Sequence, residues 1–174
     1  MTTIIDTKEF AGVPEIKNAF NFLCTPTTTK ENSNIAWYEN HVHNNGKFWY
    51  ATDGHRMHKV DLDGFGEEGV YKVIKKTKSQ VILMKTERNG SEFPDCEKVW
   101  PNCDEAVVIE DCKKEFIFKA YANIVRALDE TRTLNFNYLQ DVLVDNFTAC
   151  VGGPDVPIIF KNETMFALIM PMQM

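Results

Sequence analysis

The apolar and aromatic residues from Phe48 to Ala51, between the polar Lys47 and Thr52, read as a half-buried strand until Asp53-Gly54 breaks the pattern. A glycine at such a break marks either a bulge or a hairpin corner. A bulge would re-aim His55, Arg56 and Met57 toward an edge where another chain could dock. Earlier in the chain, residues 3–13 read as a strand and turn, and Pro14 stands where a first helical residue belongs. The helix that follows places Ile16, Ala19, Phe20 and Leu23 on one face and Lys17, Asn18 and Asn21 on the other.

A polar loop is expected over 25–33, then a strand over 35–43, a turn at Asn44-Asn45-Gly46 and the strand through Ala51. Residues 61–69 read as a loop, and 70–74 and 81–84 as strands. Lys75, Lys76 and Lys78 in the turn between those strands are either a solvated corner or a basic finger toward phosphate. Residues 104–112 predict a strand and turn. From Lys113 a helix turns Tyr121, Ile124, Val125 and Leu128 inward and Lys119, Asn123 and Arg126 outward. Residues 134–143 run from strand into helix, with Asn137 as the expected cap. Strands at 147–151, 156–160 and 164–169 end the pattern.

Composition narrows the function classes. The 174 residues, 44% of them apolar, fit one large or two small domains, and no apolar run could span a bilayer. The N-terminus lacks the basic flank and apolar stretch of a secretory signal, so the expected location is the cytoplasm, with no membrane partner. Five scattered cysteines argue against a zinc ribbon or a disulfide scaffold. A net charge of −6 argues against coating nucleic acid with the whole surface, while leaving room for a local basic face.

Three segments resemble the bacterial DNA polymerase III beta sliding clamp family, in the family's order. Ala51-Thr52-Asp53-Gly54-His55-Arg56-Met57 is similar to its ATDGHRL segment, FPDCEKVWP at 93–101 to its FPDYRRVLP, and the terminal LIMPMQM at 168–174 to its VVMPMRL. The resemblance implies an α+β protein with the DNA-clamp fold, helices backed by antiparallel sheets, truncated relative to the three-domain bacterial clamp. Residues 1–101 would correspond to the middle domain and 102–174 to the last, or the two would be one merged clamp domain. A helix of the family is replaced after Ile74 by a turn.

In that family the three segments wall a pocket that takes short peptides from polymerases and clamp loaders. The wall carried over would be Thr52, Gly54, His55, Arg56, Met57, Pro101, Leu168, Met170, Pro171 and Met172. Adaptable methionines and a fork of arginine donors suit that role. The DNA-facing residues would be Lys17, Asn18, Lys119, Asn123 and Arg126. The implied function is that of a sliding clamp-like processivity factor, a homo-oligomer that holds double-stranded DNA weakly and tethers a replication protein. The alternative is a clamp-like module that binds the same peptides without encircling DNA.

A rival chemistry lies in His41, His43, His55 and His58, which share a short span with Asp53 and could suggest a metal. No cysteine or second carboxylate completes that set, so neither a metal site nor a cofactor is expected. Without a phosphate loop, nucleophile elbow or paired carboxylates, no enzyme is expected either.

Overall fold

The computed structural model describes residues 3–30 and 34–174; the last part of the expected 25–33 loop, residues 31–33, lies outside the described residues. The architecture is α+β, and the chain divides into two compact units, Met1–Cys96 and Glu97–Met174. The division falls inside the FPDCEKVWP segment.

The first unit is an antiparallel sheet of six strands: β1 (Ile4–Asp6), β2 (His41–Asn44), β3 (Phe48–Thr52), β4 (Arg56–Asp61), β5 (Gly69–Lys76) and β6 (Val81–Lys85), in the order β1-β6-β5-β2-β3-β4. Helix α1 (Pro14–Leu23) starts on the expected proline and buries Ala19, Phe20, Phe22 and Leu23. Phe20 meets Trp49 edge-on at 5.3 Å, and Trp49 meets Tyr71 at 4.9 Å, so α1 is fastened to the sheet by aromatic packing. The loop over 62–68 is pinned by its carbonyls. Asn44 Nδ2 donates to Phe65 O and Glu67 O, and Trp49 Nε1 also donates to Phe65 O.

The expected strand over 35–43 is corrected. Trp37–Asn40 is a 3-10 turn, because the Glu39 carboxylate reaches back to accept the Ala36 N–H at 2.9 Å, and only His41 onward joins the sheet. After β5 the chain turns over 77–80 directly into β6, with Thr77 N–H donating to Gln80 O.

The second unit holds β7 (Val107–Cys112), α2 (Ile117–Ala127), β8 (Arg132–Thr133), α3 (Phe136–Val142), β9 (Phe147–Val151), β10 (Ile158–Lys161), β11 (Met165–Ile169) and β12 (Met172–Gln173). Four strands form an antiparallel sheet in the order β11-β10-β9-β7, and β12 pairs with β8 apart from it. The β8–β12 ladder was not expected from the sequence, since two-residue strands carry no readable periodicity. The cap of α3 is also corrected: the helix begins two residues early, and Asn135 Oδ1 accepts from the N–H groups of Asn137 and Tyr138. Asn137 is an exposed residue inside the first turn.

Candidate functional site

The segment with Asp53-Gly54 is a hairpin corner. β3 and β4 pair antiparallel with Thr52 opposite Met57, so the expectation of a docking bulge gives way to a turn. The residues of this turn are chosen by its geometry. Asp53 Oδ1 accepts the N–H groups of His55 and Arg56 at 3.0 Å each, and Thr52 Oγ1 donates to Arg56 O while accepting from Gly54 N–H. Gly54 has φ +84°, a left-handed backbone where any side chain would be strained. A Cβ there would find only the Tyr38 hydroxyl, at 3.5 Å, so conformation rather than space demands the glycine.

Among the expected peptide-contacting residues of this unit, Gly54 and His55 are exposed, while Thr52, Arg56 and Met57 are buried. Arg56 is 8% exposed, and its Nε is bonded to Asp53 Oδ2 at 2.9 Å. A good part of its donor fork therefore serves its own turn.

In the second unit the expected residues sit on the chain's last strands and on an irregular segment. Leu168 is buried in β11, Met170 and Met172 are 40% and 43% exposed, and Pro171 between them is half-buried. β12 is held by pairing with β8 and by Met174 N–H donating to Thr131 O at 2.8 Å. Below it Arg132 is buried, its Nε on Asp129 Oδ2 and its Nη1 on Gly153 O. The terminal methionines thus stand on a fixed backbone. Pro101 is half-buried in a segment without regular structure, next to Trp100, whose ring meets Phe166 edge-on at 6.2 Å.

The expected DNA-facing residues lie on the uncovered sides of two helices. Asn18 is exposed and Lys17 half-exposed on α1; on α2, Lys119 and Arg126 are exposed and Asn123 is intermediate. The buried stripe of α2 is Ala120, Ile124 and Leu128, so Tyr121 and Val125 fall at its margin and Phe118 outside it. Phe118 carries no site signal in the sequence. Its placement shows only once the centre of the buried stripe is known.

Two recesses belong to the second unit. One, of about 600 Å³, is walled by Asp145–Thr148 and Lys161–Thr164 and holds none of the expected residues. The other, of about 380 Å³, lies between β7 and α2 and includes Lys119 and Asn123 on its wall beside Glu110 and Asp111.

Lys76 is neither a solvated residue nor a finger toward phosphate. Its ammonium donates to the carbonyls of Cys24 at 3.0 Å, Thr25 at 3.1 Å and Thr27, just past the end of α1. Lys75 and Lys78 are exposed.

The four histidines are engaged separately. His41 Nδ1 lies 2.7 Å from Trp37 O, and His58 Nδ1 2.7 Å from Phe22 O. His43 packs so closely on Gly90 that a Cβ there would come within 2.5 Å of its Nε2. His55 is exposed on the hairpin. Among the described residues no three His, Cys, Asp or Glu side chains are grouped to hold a metal ion. Burial, with the charges of Arg56 and Lys76 adding to it, drives the His58 pKa down to about 3. The buried Cys24 thiol is pushed up to about 12, outside the range of a reactive thiolate.

No protein-family model and no curated protein matches the chain. Solved structures do. The DNA polymerase sliding clamp of Pseudomonas aeruginosa is 14% identical with a TM-score of 0.60, covering 100% of this chain and 67% of that one. The DNA polymerase III beta subunit of Borrelia burgdorferi is 12% identical with a TM-score of 0.59, covering 99% and 64%. The Helicobacter pylori beta clamp, solved with a DNA ligase peptide bound, is 14% identical with a TM-score of 0.56, covering 91% and 63%. The chain spans about two thirds of the length of the clamps it matches. Among the described residues no helix is long and apolar enough to cross a membrane. The chain therefore has the fold of the bacterial DNA polymerase III beta sliding clamp, carried on about two thirds of that clamp's length.

Proposed function

We propose that the protein is a non-enzymatic, clamp-like processivity factor that tethers a replication protein to DNA through short peptides. The observation that carries this reading is the terminal pair Met170 and Met172, each about two fifths exposed on either side of Pro171. Exposed thioethers on a backbone held by a strand ladder offer an apolar surface that adapts to different peptide anchors at little ordering cost. Exposed large side chains of this kind mark docking sites more often than accidents when they cluster.

In this reading residues 1–101 and residues 102–174 correspond to the middle and last domains of the clamp. The expected peptide contacts are Thr52, Gly54, His55, Arg56, Met57 and Pro101 in the first and Leu168, Met170, Pro171 and Met172 in the second. The hairpin satisfies its own polar groups, with Thr52, Arg56 and Met57 buried, and leaves His55 and the backbone at Gly54 accessible; on the second unit Met170 and Met172 offer apolar area. Lys17, Asn18, Lys119, Asn123 and Arg126 meet DNA phosphates without sequence preference, and several copies of the chain enclose the duplex.

The test is fluorescence anisotropy with a labelled peptide of the kind that binds bacterial clamps. Met170→Ala is expected to weaken binding about tenfold or more, since truncating one well-placed anchor costs at least 1–2 kcal/mol. Glu163→Ala, exposed and outside the proposed surface, is expected to leave affinity unchanged. Binding that ignores Met170→Ala, or no binding by the unaltered protein, would remove the reading.

A further inference from the structure

Phe118 leaves 77% of its surface to solvent from the middle of a folded unit. Burying a phenylalanine is worth roughly 1.5–3 kcal/mol, so an exposed one on a rigid helix forgoes much of what the residue supplies. It is nonetheless held in place. Its ring lies over Phe136 with centroids 5.5 Å apart and planes 21° from parallel. Phe136 in turn meets Tyr121 edge-on at 5.3 Å, and the Tyr121 hydroxyl is 3.3 Å from Thr133 Oγ1. The stack is therefore buttressed from α3 and β8, and at that exposure the outer face of Phe118 is open.

The surroundings are cationic on an acidic chain. Residues 113–127 contain Lys113, Lys114, Lys119 and Arg126 against the single carboxylate Glu115, whereas the whole chain carries −6. Lys119 follows Phe118 directly, and Ala122, one helical turn on, is exposed and too small to block a path toward Arg126. The carboxylates Glu110 and Asp111 line the recess between β7 and α2 together with Lys119, Asp111 pairing with Lys113 at 3.6 Å, and Asp141 is on α3.

We propose that Phe118 is a stacking platform for an unpaired nucleobase, with the phosphates of the same strand running past Lys119 toward Arg126. A flat open ring beside cations is the combination by which proteins hold single-stranded nucleic acid without reading its sequence. Duplex bases are already stacked on one another and cannot reach the ring. This rests on the DNA-binding part of the proposed function and deepens it: the platform distinguishes a single strand or a primer-template junction from uninterrupted duplex.

The experiment measures anisotropy of fluorescein-labelled oligothymidylate, the same strand with abasic sites, and a duplex, each with the full chain. Phe118→Ala is expected to weaken oligothymidylate binding at least about fivefold, the low end of stacking on one base, while abasic strand and duplex are unaffected. Phe118→Trp is expected to retain binding. Lys119→Gln with Arg126→Gln is expected to weaken all three ligands together and flatten their salt dependence. Equal affinity of the unaltered protein for oligothymidylate and abasic strand overturns the proposal, as does indifference to Phe118→Ala, and duplex binding then survives as an independent result. Failure to bind any of the three defeats the DNA reading as well. Self-association that Phe118→Ala abolishes, without effect on DNA, would make the platform a protein contact and also overturn it.

Discussion

His58 is a fully buried side chain whose ring packs against Phe22 at 4.3 Å, tilted by 30°, while its Nδ1 donates to the Phe22 carbonyl. That bond leaves Nε2 unprotonated, with no hydrogen-bond partner among the described residues. Protonation would bury a charge away from solvent and add a third positive charge to those of Arg56 and Lys76, which is why the folded-state pKa falls to about 3. An unfolded histidine titrates near 6.5, so between those values only the unfolded chain takes the proton. Stability is then fully present above about pH 6.5 and falls by up to about 1.4 kcal/mol per pH unit below it, reaching about 2 kcal/mol lost at pH 5. His43, held low by burial, acts in the same direction. Urea unfolding at pH 7 and pH 5 should show this slope. His58→Gln, which can still donate to Phe22 O, should remove most of it, and His55→Gln on the exposed hairpin should not.

The termini of the helices decide how well each element is held. α1 ends without a basic residue in its own last turn, although local donors reach its last carbonyls, with Thr25 Oγ1 on Asn21 O and Thr25 N–H on Phe22 O. Lys76, from the end of β5, supplies the missing cation with three carbonyl contacts. Hydrogen bonds to a charged group are worth about 1.5–3 kcal/mol when partly buried. Lys76→Met is therefore expected to lower unfolding stability by about 2 kcal/mol, read as a shift of the urea midpoint, whereas Lys75→Met and Lys78→Met should each stay within about 0.5 kcal/mol. A null effect at Lys76 would mean that water replaces it at α1. The same bond explains why three lysines of similar setting have different roles. The turn over 77–80 brings one of them onto the helix end and leaves the others outside.

At the scale of the whole molecule, the match to sliding clamps covers about two thirds of their length, and the proposed function concerns an assembly rather than one chain. If each chain supplies two clamp-like domains, a six-domain ring takes three chains. Light scattering should then report about three times the chain mass, and the mass should persist on dilution if the ring is closed. A monomer at every concentration would favour the non-encircling module, whose peptide binding needs no ring. Peptide affinity and assembly are separable, because Met170→Ala should change the first and leave the second.

Elements with strong local signals were readable from the letters: α1 from its proline and apolar stripe, β9 from its apolar run, the β5–β6 turn from its polar residues, and the clamp fold from three short segments in order. Local signals failed where another part of the chain competes for the same groups. Glu39 folds back on Ala36 and replaces part of a predicted strand, and Asn135 takes the α3 N-terminus from Asn137. The two-residue ladder of β12 on β8 exists only because distant residues meet. Which side chains of the expected site are accessible was likewise decided by tertiary structure. Arg56 and Asp53 have opposite charges three residues apart, and burial turns them into a pair that serves the hairpin. Phe118 belongs to an apolar pattern, and the helix rotation set by Ala120, Ile124 and Leu128 turns it outward. Sequence determines which residues can be buried; packing of all the elements at once determines which of them are.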